Sequence, residues 1–290
     1  MPAGRRAASG VSFAVAAVVQ MLECKEKREQ SSMPLDISLP APVGIATWKR
    51  AAVALALGAA IIAVAQWAGV RAITVFDVWA NLDGPRAFAA GEIPALLTAR
   101  VSVSLFAFQA VTIVLVLTAN ALALRRGAPF LDFGLPRGGF RVLFGAVSAL
   151  AIFALCYGSV VYAFDGQAFR HDMEPFAGLM QSRTWWLVLI AAGIGAPLAE
   201  ECLFRGLLFG AFKSTPVGLA GAAVITAAMW ALMHANYSVY GITAITLIGI
   251  YLAVIREKTG TLLAPIVCHG TYNSLIVLIM AFAPNSAFAG

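Results

Sequence analysis

Glu200, Glu201 and Arg205 stand in a stretch, 185–212, that is otherwise apolar enough to cross a membrane. A charged side chain at the centre of a spanning helix costs about 2.5–3.5 kcal/mol on insertion scales, so a cluster of them points to function. Two further polar pairs sit in later apolar segments, His234 with Asn236 and His269 with Asn273. On an α-helix turning about 100° per residue, Glu201 shares a face with Arg205, whereas Glu200 lies about 140° away from it. Glu201 can therefore be neutralised within its own helix. Glu200 needs a partner from elsewhere or a proton, and burial of such a carboxylate is the usual route to a general base that works near neutral pH. His269 and Asn273 are also four apart. An amide beside an imidazole suits a hydrogen bond to a substrate or an oxyanion, and the imidazole can ligate a metal or hold a water. Interhelical glue is the competing role for Glu201 and Arg205.

These residues need a membrane-embedded frame. Hydrophobic residues make up 61% of the 290 and charged residues 12%, against roughly 25% charged in a soluble domain. Mean hydropathy is +0.85. About 20 helical residues cross a hydrocarbon core of about 30 Å. Apolar runs of that order occupy 51–70, 101–124, 142–164 and 185–212, the tract 217–255 holds two more, and 261–282 makes the last. The expected fold is an all-α polytopic transmembrane helix bundle of about seven spans. Pro197 and Pro265 precede Glu200 and His269 by three and four residues. Each removes a backbone hydrogen bond, and freed carbonyls at membrane depth are tolerated only against protein or a wet cavity.

Lys and Arg near span ends stay on the cytoplasmic side. Lys49, Arg50, Arg125, Arg126, Arg137, Arg141, Lys213, Arg256 and Lys258 all fall on one side of the seven-span order. The loops 71–100 and 165–183 are then outer loops, with His171 an ordinary surface residue. This predicts an N-in, C-out topology in the cell (inner or plasma) membrane. The net charge of +6 is mostly this asymmetry and carries no expectation of nucleic acid.

Residues 1–46 differ in composition. Arg5 and Arg6 before the apolar 11–22 are similar to a signal peptide, but no A-x-A site follows, and the Pro-rich 34–42 reads as a flexible tail; Met33 is an alternative initiator. The chain thus divides into a tail at 1–46, N-terminal transmembrane helices at 47–184 and a core at 185–282. Cys24, Cys156, Cys202 and Cys268 show no C-x-x-C spacing, and Cys202 and Cys268 read better as small buried hydrophobes than as thiol nucleophiles.

Taken in order, Glu200-Glu201-x-x-x-Arg205, Trp230-x-x-x-His234 and His269-x-x-x-Asn273 resemble the EExxxR, FxxxH and HxxxN/D motifs of the CPBP family of intramembrane proteases. That family contains the type II CAAX prenyl endopeptidases and the Abi bacteriocin-processing or immunity proteins. The run from Thr259 to His269 is similar to the family's TGSLWAPILAH stretch, and Trp230 stands where the family has Phe. The resemblance implies hydrolysis of a peptide bond in a membrane-embedded or membrane-anchored substrate, CAAX-like or a leader peptide. It implies Glu200 as the base, His234 and His269 holding the water or a metal, Asn273 as oxyanion donor, and Glu201 with Arg205 orienting the site. Glu200, His234 and His269 could complete a three-ligand zinc site with an open position; they could equally hold water alone.

Two other classes compete. A secondary transporter also places carboxylates and histidines near broken helices, but commonly shows repeats, and none is visible here. A non-enzymatic immunity or scaffold protein would keep the motifs without turnover. One measure of depth is awkward for the site: at about 1.5 Å per residue, Glu200 lies roughly 15 Å and His269 roughly 12 Å from the cytoplasmic ends, but His234 roughly 25 Å. Tilt, or a reentrant start near Val217, is needed to bring the three together.

Overall fold

Long uninterrupted apolar segments dictate helices, because only helices satisfy every backbone N–H and C=O internally in lipid. The computed structural model describes residues 45–82, 92–124, 130–180 and 182–282. The expected tail at 1–46, with Cys24 and Met33, and the loop residues Arg125 and Arg126 lie outside or almost wholly outside them. Among the described residues there is no strand. The chain is an all-α polytopic membrane bundle.

Helices α1 (Ile45–Trp79) and α2 (Ile93–Leu124) run antiparallel. A Cβ at Gly69 of α1 would come within 3.0 Å of the Ser104 carbonyl of α2, and Arg100 pairs with Asp77 at 2.8 Å near the connecting end. Thr98, Ser102, Gln109 and Thr112 form a buried polar stripe along α2. Helix α3 (Gly139–Phe164) follows, then α4 (Gly166–Met180), which fills the expected loop 165–183.

The next span, Trp185–Lys213, is not a plain α-helix. It passes through α5 (Trp185–Ile190), a π stretch (Ala191–Gly195), α6 (Ala196–Glu201), a second π stretch (Cys202–Leu208) and α7 (Phe209–Lys213). Such i→i+5 bulges are most often found at functional sites. Pro197 accounts for part of the first: in that pattern its missing N–H would have served the carbonyl of Ala192. Pro265 has no such effect, because it falls in the first turn of α10 (Leu263–Phe282), where N–H groups have no intrahelical partner anyway.

Helix α8 (Gly218–Leu232) has 15 residues, about 22 Å at 1.5 Å each, and is too short to cross alone. Among the described residues, six stretches, at 47–79, 93–123, 139–164, 185–213, 239–259 and 263–282, are long and apolar enough. The expected bundle of about seven spans is met by these six together with the shorter α8. The early stop has a cause. Asp172 of α4 accepts from Ser238 N at 2.6 Å and from Ser238 Oγ at 2.7 Å, and the same Oγ caps α9 (Val239–Thr259) by accepting from Gly241 N. The turn after α8 is thereby fastened to α4.

Glycine sets the close crossings around the middle of the bundle. A Cβ at Gly270 of α10 would lie 2.5 Å from the Gly193 carbonyl in the first π stretch. At Gly249 of α9, a Cβ would lie 2.8 Å from Ala227 Cβ of α8. Small residues at such contacts let backbones approach in membranes, where packing rather than hydrophobicity drives association.

Candidate active site

The Gly193–Gly270 approach presses α10 onto the broken span and puts His269 against Glu201. His269 Nδ1 lies 2.9 Å from Glu201 Oε1, and Arg205 Nη1 donates to the same oxygen at 3.1 Å. All three are buried, Glu201 at 0%, Arg205 at 1% and His269 at 2% exposure. Glu201 is thus neutralised from its own helix, as the four-residue spacing required. The second π stretch does not break this face. Arg205 Nη2 also donates to the Gly249 carbonyl at 3.1 Å, and the guanidinium sits 4.7 Å from the centre of the Trp230 ring.

Glu201 Oε1 can only accept, so the contact fixes the His269 tautomer with its proton on Nδ1, donating to Glu201. Its Nε2 then carries a lone pair. His234 reaches the same state by another route. Its Nδ1 lies 3.0 Å from the Trp230 carbonyl, which can only accept. Two imidazoles are therefore oriented by second partners and left with Nε2 as acceptors.

Trp230 is the hub. Its Nε1–H donates to Glu200 Oε2 at 2.6 Å, and its ring meets His234 at 5.5 Å and His269 at 5.1 Å, both edge-on. Glu200 thus finds its partner on another helix. The indole gathers Glu200, both histidines and Arg205 around one side chain, which is how the depth mismatch closes: α8 ends early, and His234 sits just past its end. A phenylalanine at 230 would pack similarly but could not donate.

Asn273 lies on α10, one turn after His269. Its Nδ2 donates at 2.9 Å to the Ala192 carbonyl that Pro197 leaves open. Gln109 of α2 donates to the Ala191 carbonyl, also at 2.9 Å, beside the hydrogen bond that this carbonyl already accepts from the Ala196 N–H. One N–H of the Asn273 amide is thereby engaged in holding the π stretch, which leaves its second N–H and its Oδ1 without a hydrogen-bond partner among the described residues. His171 is exposed, as expected of a surface residue, and its Nε2 lies 3.2 Å from the Asn236 carbonyl in the turn that carries His234.

Sequence reasoning missed Asp172 and Tyr237. Asp172 is buried in a segment with a polar face, HDMEPF, which was the available signal. Tyr237 stacks edge-on to His234 at 5.8 Å. Burial, with lesser contributions from Tyr272, Asp172 and Glu200, pushes its phenol well above the ordinary range, so it stays a protonated donor. Cys202 and Cys268 are buried in the apolar core around Leu203, Phe204 and Leu252, as expected of small hydrophobes.

The zinc expectation does not fit this arrangement. Among the described residues no group of three or more His, Cys, Asp or Glu side chains is placed to hold a metal ion. Glu200, His234 and His269 are accordingly not gathered as a three-ligand set. No chemical step is derived through zinc.

A broken, polar membrane span facing two oriented histidines makes up the candidate site. Residues 182–275 match the family model described as "Type II CAAX prenyl endopeptidase Rce1-like", which supports, over that segment, the resemblance of the three motifs to the CPBP family. The chain is also similar to an "Uncharacterized 24.3 kDa protein" of Escherichia coli, 33% identical over 94 residues. That alignment covers 32% of this chain and 43% of the relative, so less than half of the relative's length is spanned. No solved structure matches.

Proposed function

We propose that this protein is an intramembrane endopeptidase that hydrolyses a peptide bond of a membrane-embedded or membrane-anchored substrate with a water activated by Glu200. The observation that carries the reading is the asymmetry of the two glutamates. Glu201 is buried and matched by Arg205 and His269, whereas Glu200 is half-buried and keeps Oε1 without a hydrogen bond among the described residues. Trp230 fixes one oxygen of Glu200 and leaves the other for a water.

The step proceeds as follows. One O–H of the water points to Glu200 Oε1 and the other to an imidazole Nε2. The water oxygen adds to the carbonyl carbon as its proton passes to Glu200. The C–N bond then breaks, and the amine leaves with that proton. Tyr237, protonated throughout, is a donor beside the developing oxyanion. A cavity of about 130 Å³ bordered by Tyr157, Tyr237, Tyr240 and Tyr272 lies next to His234 and suits an apolar substrate side chain. The catalytic core is the 185–282 segment, with the helices of 47–184 as its support, in an N-in, C-out orientation in the cell membrane.

The purified protein in proteoliposomes should cut some members of a library of lipid-anchored peptides with quenched fluorophores, CAAX-like and leader-like sequences included, with masses assigning the cut. Wild-type turnover that survives intact in Glu200→Gln would end the mechanism. Absence of any cleavage, with solute uptake in its place, would favour the transporter, and neither activity would favour the scaffold.

A further inference from the structure

Three spans end in cations around one cavity. Lys213 closes α7, Arg256 lies in the last turn of α9, and Arg137 stands just before α3; between them opens a space of about 670 Å³ whose inner wall is Arg205 and Gly206. Four cations, Arg137, Arg205, Lys213 and Arg256, face two acids, Asp132 and Glu257. Lys213 pairs with Glu257 and Arg205 with Glu201. Among the described residues, Arg137 and Arg256 have no ion-pair partner.

A second observation is independent of charge count. The Nε–H of Arg256, a residue that lines the cavity, is buried without an acceptor among the described residues. A buried charged donor left unmade is costly, more so than a neutral one. A group with several acceptor oxygens and negative charge would answer the guanidinium groups of Arg137 and Arg256, and guanidinium matches phosphate in geometry as well as sign. The mouth lies at the charged ends of three spans, the level at which lipid phosphates sit, and basic pockets between membrane helices bind such headgroups.

We propose that this cavity is a phosphate-binding site, filled by the headgroup of an anionic phospholipid, with free inorganic phosphate sharing the same chemistry. The site is separate from the Glu200 carboxylate and meets the peptidase machinery only through Arg205. The inference does not rest on the peptidase reading, because its readout is binding.

The full chain in mild detergent should retain phosphatidylglycerol over phosphatidylcholine in native mass spectra. Arg137→Gln with Arg256→Gln should weaken that retention at least about tenfold, the scale expected for losing charge-assisted contacts. Arg71→Gln, an exposed arginine outside the cavity, should keep it. If the double variant does not fold, Arg256→Lys, which keeps charge but lacks the fork, should alone lower it. Protection of the wild type from thermal unfolding by inorganic phosphate over chloride, lost in the double variant and without lipid retention, would assign the site to soluble phosphate. Equal phosphatidylglycerol retention by wild type, the double variant and Arg256→Lys, with no phosphate protection, would overturn the proposal.

Discussion

Replacing Glu201 with Gln keeps the shape of the side chain and removes the charge that holds Arg205. Both partners have fully buried side chains, at 3.1 Å, and His269 leans on the same oxygen. Gln can still accept from His269, but Arg205 is left as a buried cation whose remaining contacts are the Gly249 carbonyl and the Trp230 ring. Breaking one side of a buried pair costs about 3–5 kcal/mol. For a chain of this size about 2–4 °C of melting temperature goes with each kcal/mol, so the midpoint should fall by roughly 10 °C. Glu200→Gln is the internal control. Its partner is one neutral indole N–H, which the Gln oxygen can accept equally well, so stability should change by less than about 1 kcal/mol. Thermal unfolding in detergent and peptide hydrolysis would be read side by side. The expected pattern is a stable, inactive Glu200→Gln and an unstable Glu201→Gln, with part of the stability restored when Glu201→Gln is combined with Arg205→Met. Equal melting temperatures with equal loss of activity in the two single variants would refute the division of roles.

The remaining predictions concern the frame. Trp230→Phe keeps the aromatic packing but removes the donor on Glu200; kcat should fall about tenfold with KM unchanged, and an unaltered kcat would show that the indole only packs. Gly270→Ala puts a methyl 2.5 Å from the Gly193 carbonyl; overpacking of this kind costs about 1–3 kcal/mol, and the shift it forces should part His269 from Glu201 and abolish hydrolysis, while normal activity would show that the crossing has slack. Elemental analysis of the purified protein should find zinc well below one per chain, and dialysis against a chelator should leave hydrolysis unchanged; stoichiometric zinc lost in His234→Ala would overturn the metal-free reading. Reporter fusions at Arg126, Lys213 and Lys258 should report cytoplasm and one at Arg170 the outside, and a cytoplasmic signal at Arg170 would sink the orientation.

Much of the site was legible before any coordinates. Charges in apolar segments are costly, so Glu200, Glu201, Arg205, His234 and His269 announced themselves by position, and a spacing of four residues was enough to pair Glu201 with Arg205, because both lie on one helix. The long apolar runs likewise determined a helical membrane bundle, since lipid offers the backbone no other partner. What the sequence could not decide was every relation between helices. Spacing says which residues share a face, and nothing about which neighbour meets it. The assignment of His269 to Glu201, of Trp230 to Glu200 and of Asn273 to the Ala192 carbonyl depends on how closely backbones approach at Gly193, Gly270 and Gly249. The short α8, counted from hydropathy as a full span, was cut by a carboxylate 66 residues away at Asp172. Local composition carries no record of such a contact; only the packed helices bring it about.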